Sequence, residues 1–151
     1  MKNIGKLGEE LVGKWLELHN YDLWQQNWRC RWGEIDIIAQ DRENKTITFV
    51  EVKTRSKNNW DENGLLAVDS TKQEKIIKTA SMFLAKYSHL AELPCRFDVA
   101  LVSYGKCLAQ RRDNAKIDVK KNAQLTIGKP VIVEQYEFTI ENYLKSAFEL
   151  S

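Results

Sequence analysis

Asp36, Glu51 and Lys53 form the pattern Asp, fourteen residues, Glu-x-Lys within the stretch Gly33 to Lys53, GEIDIIAQDRENKTITFVEVK. Two alternating runs, Glu34 to Gln40 and Thr46 to Val52, flank a polar segment, Asp41 to Lys45, that has no apolar residue. The stretch therefore reads as a β-hairpin. With Glu43 and Asn44 at the tip, the register sets Gln40 opposite Ile47, Ile38 opposite Phe49 and Asp36 opposite Glu51. Side chains alternate across a strand, so Asp36, Glu51 and Lys53 share one face with Ile38 and Phe49, while Ile35, Ile37, Ala39, Thr48, Val50 and Val52 cover the other. Opposed carboxylates, with Cβ atoms about 4.5 to 5.5 Å apart, repel each other unless a proton or a cation intervenes.

A divalent cation is the economical answer. Two carboxylates, with the backbone carbonyl of Val52 as a third ligand, suit Mg²⁺ or Mn²⁺. Such an ion polarises a phosphate and acidifies a bound water, and Lys53 would orient or deprotonate that water or neutralise developing charge. As a base, Lys53 needs its ordinary pKa of about 10.4 lowered by the metal and by partial burial; the carboxylates alone are expected to shift it the other way. The pattern also arises by chance as a surface ladder of alternating charges. The apolar residues on both hairpin faces and the basic flanks Arg55, Lys57 and Lys72 favour the site.

These residues need elements to hold them. From Ile4 to about His19, Ile4, Leu7, Leu11, Trp15 and Leu18 follow helical spacing. Glu9 falls in line with Val12 and Leu16, at the edge of the apolar arc, where spacing leaves a surface acid and a site acid equally open. Gly5, Gly8 and Gly13 point to a close backbone approach or a late helix start. Asn20 to Arg31 reads as an edge strand, and its Trp24 and Trp28, with Trp32 beyond, either stack on bases between Arg29 and Arg31 or pack as core. A loop with Trp60 and Gly64 spans Thr54 to Asp69 at the mouth of the site. Ser70 and Gln73 form a capping box for a second helix reaching about His89, with Lys72, Lys75 and Lys78 near its start. Arg96 to Ser103 is a strand bearing Asp98; Gly105 to Lys121 is a basic loop or hairpin; Val131 to Phe138 is a strand; and Thr139 to Phe148 is expected as a short closing helix.

The chain has 151 residues, 43% hydrophobic, enough for one domain with a core. With 29% charged residues but a net charge of only +2, composition alone does not mark a nucleic-acid binder. Cys30, Cys95 and Cys107 lack metal or redox spacing and read as ordinary thiols. No signal-like apolar region or membrane-spanning stretch is present, so a cytoplasmic protein is expected. His19 and His89 lie near helix ends, without metal-spaced partners, and stay outside the site.

Several blocks, taken in order, resemble the YraN-like uncharacterised protein family: Gly8-Glu9, Trp15-Leu16, Asn27-Trp28-Arg29, GEIDIIA at Gly33 to Ala39, FVEVKTR at Phe49 to Arg55, Lys72-Gln73 and RFDVALV at Arg96 to Val102. The closing YLKSAF at Tyr143 to Phe148 resembles the family's end more weakly. The resemblance implies an α/β fold of restriction-endonuclease-like type, a mixed sheet flanked by helices and related to the Holliday-junction resolvases. It assigns Glu9, Asp36 and Glu51 to the metal and Lys53 to catalysis. Lys72 and Gln73 would face the cleft, Arg55 would contact phosphate, and Asp98 would be structural, paired with an arginine. A basic segment at about 105–126 departs from the compact pattern. The implied activity is Mg²⁺-dependent cleavage of DNA, and the resemblance to resolvases extends the expectation to branched DNA and to a homodimer. The alternative is a non-catalytic nucleic-acid-binding protein on the same fold.

Overall fold

The computed structural model describes residues 3–57, 68–107 and 125–149. Asn3 caps the first helix, α1 (Ile4–Leu18), by accepting from the amide of Lys6 at 2.7 Å. An extended chain then folds into β1 (Tyr21–Cys30), β2 (Gly33–Asp41) and β3 (Ile47–Ser56). The β2–β3 register is the expected one, with Gln40 opposite Ile47 and Ile38 opposite Phe49. Helix α2 (Ser70–Lys86) carries the chain over to β4 (Cys95–Lys106), which runs parallel to β3; β5 (Val131–Val133) and β6 (Tyr136–Phe148) follow. The sheet order is β1-β2-β3-β4-β6-β5, and every pairing except β3–β4 is antiparallel. A parallel pair requires a crossover, and α2 supplies it.

Each helix covers one face. Leu7, Leu11, Val12, Trp15 and Leu16 of α1 pack with Ile37, Ala39, Val50, Val52, Ala100 and Val102. Ile76, Ala80 and Phe83 of α2 pack with Ile38, Phe49, Phe97 and Val99 on the other face. This is the α/β mixed sheet expected from the sequence. Apolar residues on both sheet faces require two covering layers.

Two local expectations change. The cap of α2 is Asp69, which accepts from the amide of Lys72 at 2.8 Å, rather than Ser70; Gln73 turns back to donate to the carbonyl of Val68 at 2.9 Å. The helix ends at Lys86, and a short 3-10 turn, Ser88–Leu90, contains His89. At the C-terminal end, Thr139 to Phe148 is not a helix but the greater part of β6. The β4–β6 pairing shifts register twice, and Ser146 has φ +51°. Bulges of this kind interrupt alternation, which is how Ile140, Tyr143, Leu144 and Phe148 come to mimic helical spacing. In the sheet, Phe148 stacks on Phe97 at 5.0 Å and the Tyr143 hydroxyl donates to Asp98 at 2.6 Å. A helix there would forfeit both contacts and leave the β4 edge unpaired.

Asp98 is fully buried and pairs with Arg96, as expected, while Arg96 also reaches Asp41 and the Tyr21 hydroxyl. This network ties β1, β2, β4 and β6 together at the end of the sheet away from the lysines of α2. Cys30, Cys95 and Cys107 form no disulfide among the described residues. Among the described residues, no helix is long and apolar enough to cross a membrane. Most of the expected Thr54 to Asp69 loop, including Trp60 and Gly64, and most of the basic segment at 105–126 lie outside the described residues.

Candidate active site

The β2–β3 ladder runs as far as Ile37 opposite Val50, and beyond it the pairing changes character. Asp36 turns its carboxylate into the gap and accepts the amide N–H of Val52 at 2.8 Å. A side chain thus takes a donor that an uninterrupted ladder would give to backbone, and alternation breaks at this point. Ile35, expected beside Ile37, packs instead with Ile38 on the α2 side. Asp36 also hydrogen-bonds Glu51, which is 7% exposed. Val52 contributes its N–H to Asp36, the group next to the carbonyl expected as a ligand.

Glu9 reaches this fork from α1 because the helix lies very close to β3. A methyl group on Gly8 would collide with the hydroxyl of Thr54 and lie 3.3 Å from its Cβ. Glycine is what allows that approach. Asn27 then joins Glu9 to the sheet: its side-chain amide donates to Glu9 at 2.5 Å and to Glu34 at 2.9 Å. Asn27 has φ +52°, a left-handed conformation that asparagine tolerates better than most residues. Arg29 holds the second oxygen of Glu34 at 2.6 Å. Carboxylate oxygens of Glu9, Glu34 and Asp36 lie within 4.8 Å of one another. Asn27 and Glu34 were not singled out as site residues from the sequence. Glu34 lies two positions before Asp36 on the same strand, and Asn27 lies within a block that carries the family resemblance, so both left a signal.

The cations approach from α2. Lys72 pairs with Glu51 at 2.7 Å, as its expected position in the cleft requires. Gly33, Glu34, Asp36, Glu51, Lys72, Lys75 and Ile76 line a cleft of about 240 Å³. Lys53 is 7% exposed, with the ammonium of Lys72 beside it. Three other expected contacts lie outside the cleft wall. Gln73 caps its own helix, Lys57 pairs with Glu137 at 2.9 Å, and Arg55 donates to the carbonyl of Thr54 at 2.9 Å.

Charge is crowded here, and the proton affinities record it. Asp36 is pushed up to about 8, first by burial, then by Glu51 and more weakly by Glu9, against the lowering pull of the Val52 amide. Lys53 is lowered to about 8, first by burial and then by Lys72. That reverses the expectation that a metal-free site would raise it: burial and a second ammonium outweigh the attraction of Glu51. Burial also opposes charge on Lys72, but its contacts with Glu51 and Lys53 outweigh this, and its pKa is raised.

The family model described as uncharacterised protein family UPF0102 matches residues 8–102. The chain belongs to family UPF0102. It is 42% identical to the UPF0102 protein of Acaryochloris marina over 157 aligned residues, covering 97% of this chain and 90% of that protein. With the UPF0102 protein of Synechocystis it shares 43% identity over 150 residues, covering 98% of this chain and 99% of the relative. A Synechococcus member is 51% identical over 102 residues, 68% of this chain. The span matched by the UPF0102 model runs from Gly8 to Val102 and so contains every carboxylate and lysine of the cleft.

The UPF0102 site suits a hard divalent cation. Its donors are carboxylate oxygens, and without an ion burial, followed by Glu51 and Glu9, favours a proton on Asp36. Glu9 and Asp36, with Glu51 adjoining, would hold the ion. Glu34 has both oxygens engaged, by Asn27 and by Arg29, and acts more as a tether for the cluster.

Proposed function

We propose that this UPF0102 protein is a Mg²⁺- or Mn²⁺-dependent endonuclease that hydrolyses phosphodiester bonds in DNA, with branched DNA the favoured form. One observation carries the reading: carboxylate oxygens of Glu9 from α1 and of Glu34 and Asp36 from β2 lie within 4.8 Å of one another, Glu51 of β3 adjoins Asp36, and the amine of Lys53 stands beside Glu51 with its proton affinity depressed to about 8. Glu9 and Glu51 have basic partners in Lys6 and Lys72, but Asp36 forms no ion pair among the described residues, whereas Arg96 neutralises Asp98 and Asp41 at the other end of the sheet.

A bound divalent ion would supply Lewis-acid polarisation of the phosphate and a more acidic water. The remaining work belongs to the chain. Glu9 and Asp36 would hold the ion, and Asn27 and Arg29 fix Glu9 and Glu34. Near neutral pH a fraction of Lys53 is neutral and can take a proton from water at Nζ. Lys72 keeps Glu51 oriented, and Lys75 lines the cleft, where its ammonium can meet a phosphate oxygen. A homodimer would set two such clefts against the two strands of a branch.

The test is a screen of linear, single-stranded, flapped and four-way-junction DNA, with RNA as control, under varied divalent ions. Cleavage of at least one DNA form, abolished by Asp36→Ala, is the expected result. No cleavage of any form, or cleavage that survives Asp36→Ala, would overturn the proposal. Salt-dependent DNA binding without metal uptake would favour the non-catalytic alternative.

A further inference from the structure

The three tryptophans of the β1–β2 region have different fates. Trp24 and Trp28 pack against the core beneath α2, with Trp28 edge-on to Phe83 at 5.4 Å. Trp32 stays at the surface, 40% exposed. The guanidinium of Arg31 and the ammonium of Lys78 each lie 4.9 Å from its ring centroid. Neither cation pairs with a carboxylate among the described residues. Trp32 keeps 40% of its surface in water with both cations over its ring, an arrangement that matches a nucleic-acid strand: a base takes a place on the ring and the cations turn to the phosphates on either side.

Its position connects it to the cleft. Trp32 directly precedes Gly33, and Lys78 lies one turn along α2 from Lys75; both Gly33 and Lys75 line the cleft wall. Lys72, Lys75 and Lys78 thus form a row from Glu51 to Trp32. From Lys72 to Lys78 the helix rises about 9 Å. At about 3.4 Å per nucleotide of a stacked strand, that is two or three nucleotides.

The geometry points to Trp32, flanked by Arg31 and Lys78, as a platform that stacks one unpaired DNA base two or three nucleotides from the phosphate held in the Asp36–Glu51 cleft. The inference deepens the nuclease reading and rests on it only for where the cut falls. A base inside a duplex offers no free face, so the platform selects single-stranded tails, flaps and splayed branch arms over continuous duplex. Trp24 and Trp28 take no part in it, since their rings serve the core.

The experiment measures binding of the full chain in EDTA, where no cleavage intervenes. Fluorescence anisotropy compares labelled oligothymidylate, an abasic strand of equal length and a closed duplex. The wild type is expected to prefer oligothymidylate to both. Trp32→Ala should weaken oligothymidylate binding by about five- to a hundredfold and leave the abasic strand's affinity unchanged. Trp32→Phe should retain most of the preference, which separates loss of stacking from loss of fold. Equal weakening on both strands, no weakening, preference for duplex, or no binding by the wild type would each overturn the platform. The nuclease reading is tested separately by the cleavage screen with flapped and four-way-junction DNA, where no cleavage of any form contradicts the nuclease and leaves the platform standing.

Discussion

The side-chain amide of Asn27 lies 2.5 Å from a carboxylate oxygen of Glu9, so an edge strand positions the acid of a helix. Because Asn27 also holds Glu34 and adopts φ +52°, its backbone and side-chain roles can be separated by substitution. Asn27→Gly keeps the left-handed conformation and removes the donor. Mn²⁺ affinity is expected to fall about 10- to 100-fold, the usual cost of losing a group that orients ligands. Asn27→Ala should lose the same affinity and melt lower than Asn27→Gly, because alanine resists that φ. Parallel metal titrations and thermal melts check both. Unchanged affinity in the glycine variant would remove Asn27 from the site.

Stability should depend on pH through Asp36. Its ordinary value is 3.8, and burial followed by Glu51 and Glu9 pushes it up to about 8 in the fold. The folded chain therefore binds more protons than the unfolded one between these values, and the stability this contributes is greatest at the acid end and lost as pH rises towards 8. In EDTA the melting temperature of the wild type should fall relative to Asp36→Asn from pH 5 to 8. Added Mn²⁺ should raise it more at pH 8 than at pH 6, since the ion takes the place of the proton. Parallel pH profiles for the two proteins would contradict this.

Lys72 lowers the proton affinity of Lys53, an effect second only to burial. Lys72→Met should let Lys53 rise from about 8 towards the ordinary lysine value, moving the limb on which cleavage rises with pH to higher pH. It also strips Glu51 of its partner, so activity at neutral pH should drop. The shift in the limb is the informative readout, because a general loss of structure would lower the rate without moving it. Direct titration of the Lys53 side chain by nuclear magnetic resonance gives the same answer without substrate.

Gly8 sets the distance between α1 and β3. Gly8→Ala should cost about 1 to 3 kcal/mol, since its methyl meets Thr54 in a packed layer. Thr54→Ala in the same chain should restore much of that loss, because it removes the obstructing hydroxyl, which has no hydrogen-bond partner among the described residues. Gly5→Ala is the control: among the described residues its methyl would meet only Asn3, at 3.4 Å, and the helix should gain up to about 1 kcal/mol. Chemical denaturation of the three variants measures each effect.

The hairpin and its register were legible because apolar alternation and a polar tip act within one short stretch. Asp36 and Glu51 follow from that register, whereas the turn of Asp36 onto the Val52 amide does not, since alternation alone keeps Ile35 beside Ile37. The position of Glu9 depended on the family resemblance, because helical spacing could not tell a surface acid from one facing the fork. Asn27 escaped notice because its role depends on a left-handed backbone inside a strand, which strand propensity does not signal. The C-terminal strand mimics a helix for a related reason: its two bulges, one containing Ser146 between the partners of Phe97 and Val99 and one at Glu141 between the partners of Leu101 and Val102, place apolar residues three and four apart. A long-range partner, β4, decides the conformation of β6, and no local pattern contains it.

The account rests on the fork of β2 and β3, together with Glu9, being a divalent-cation site. Calorimetric titration of Mn²⁺ into the wild type and into Asp36→Asn tests this without substrate. The account predicts saturable binding in the wild type, with proton release below about pH 8, and loss of that binding in Asp36→Asn. No uptake by the wild type, or equal uptake by the two proteins, would contradict it.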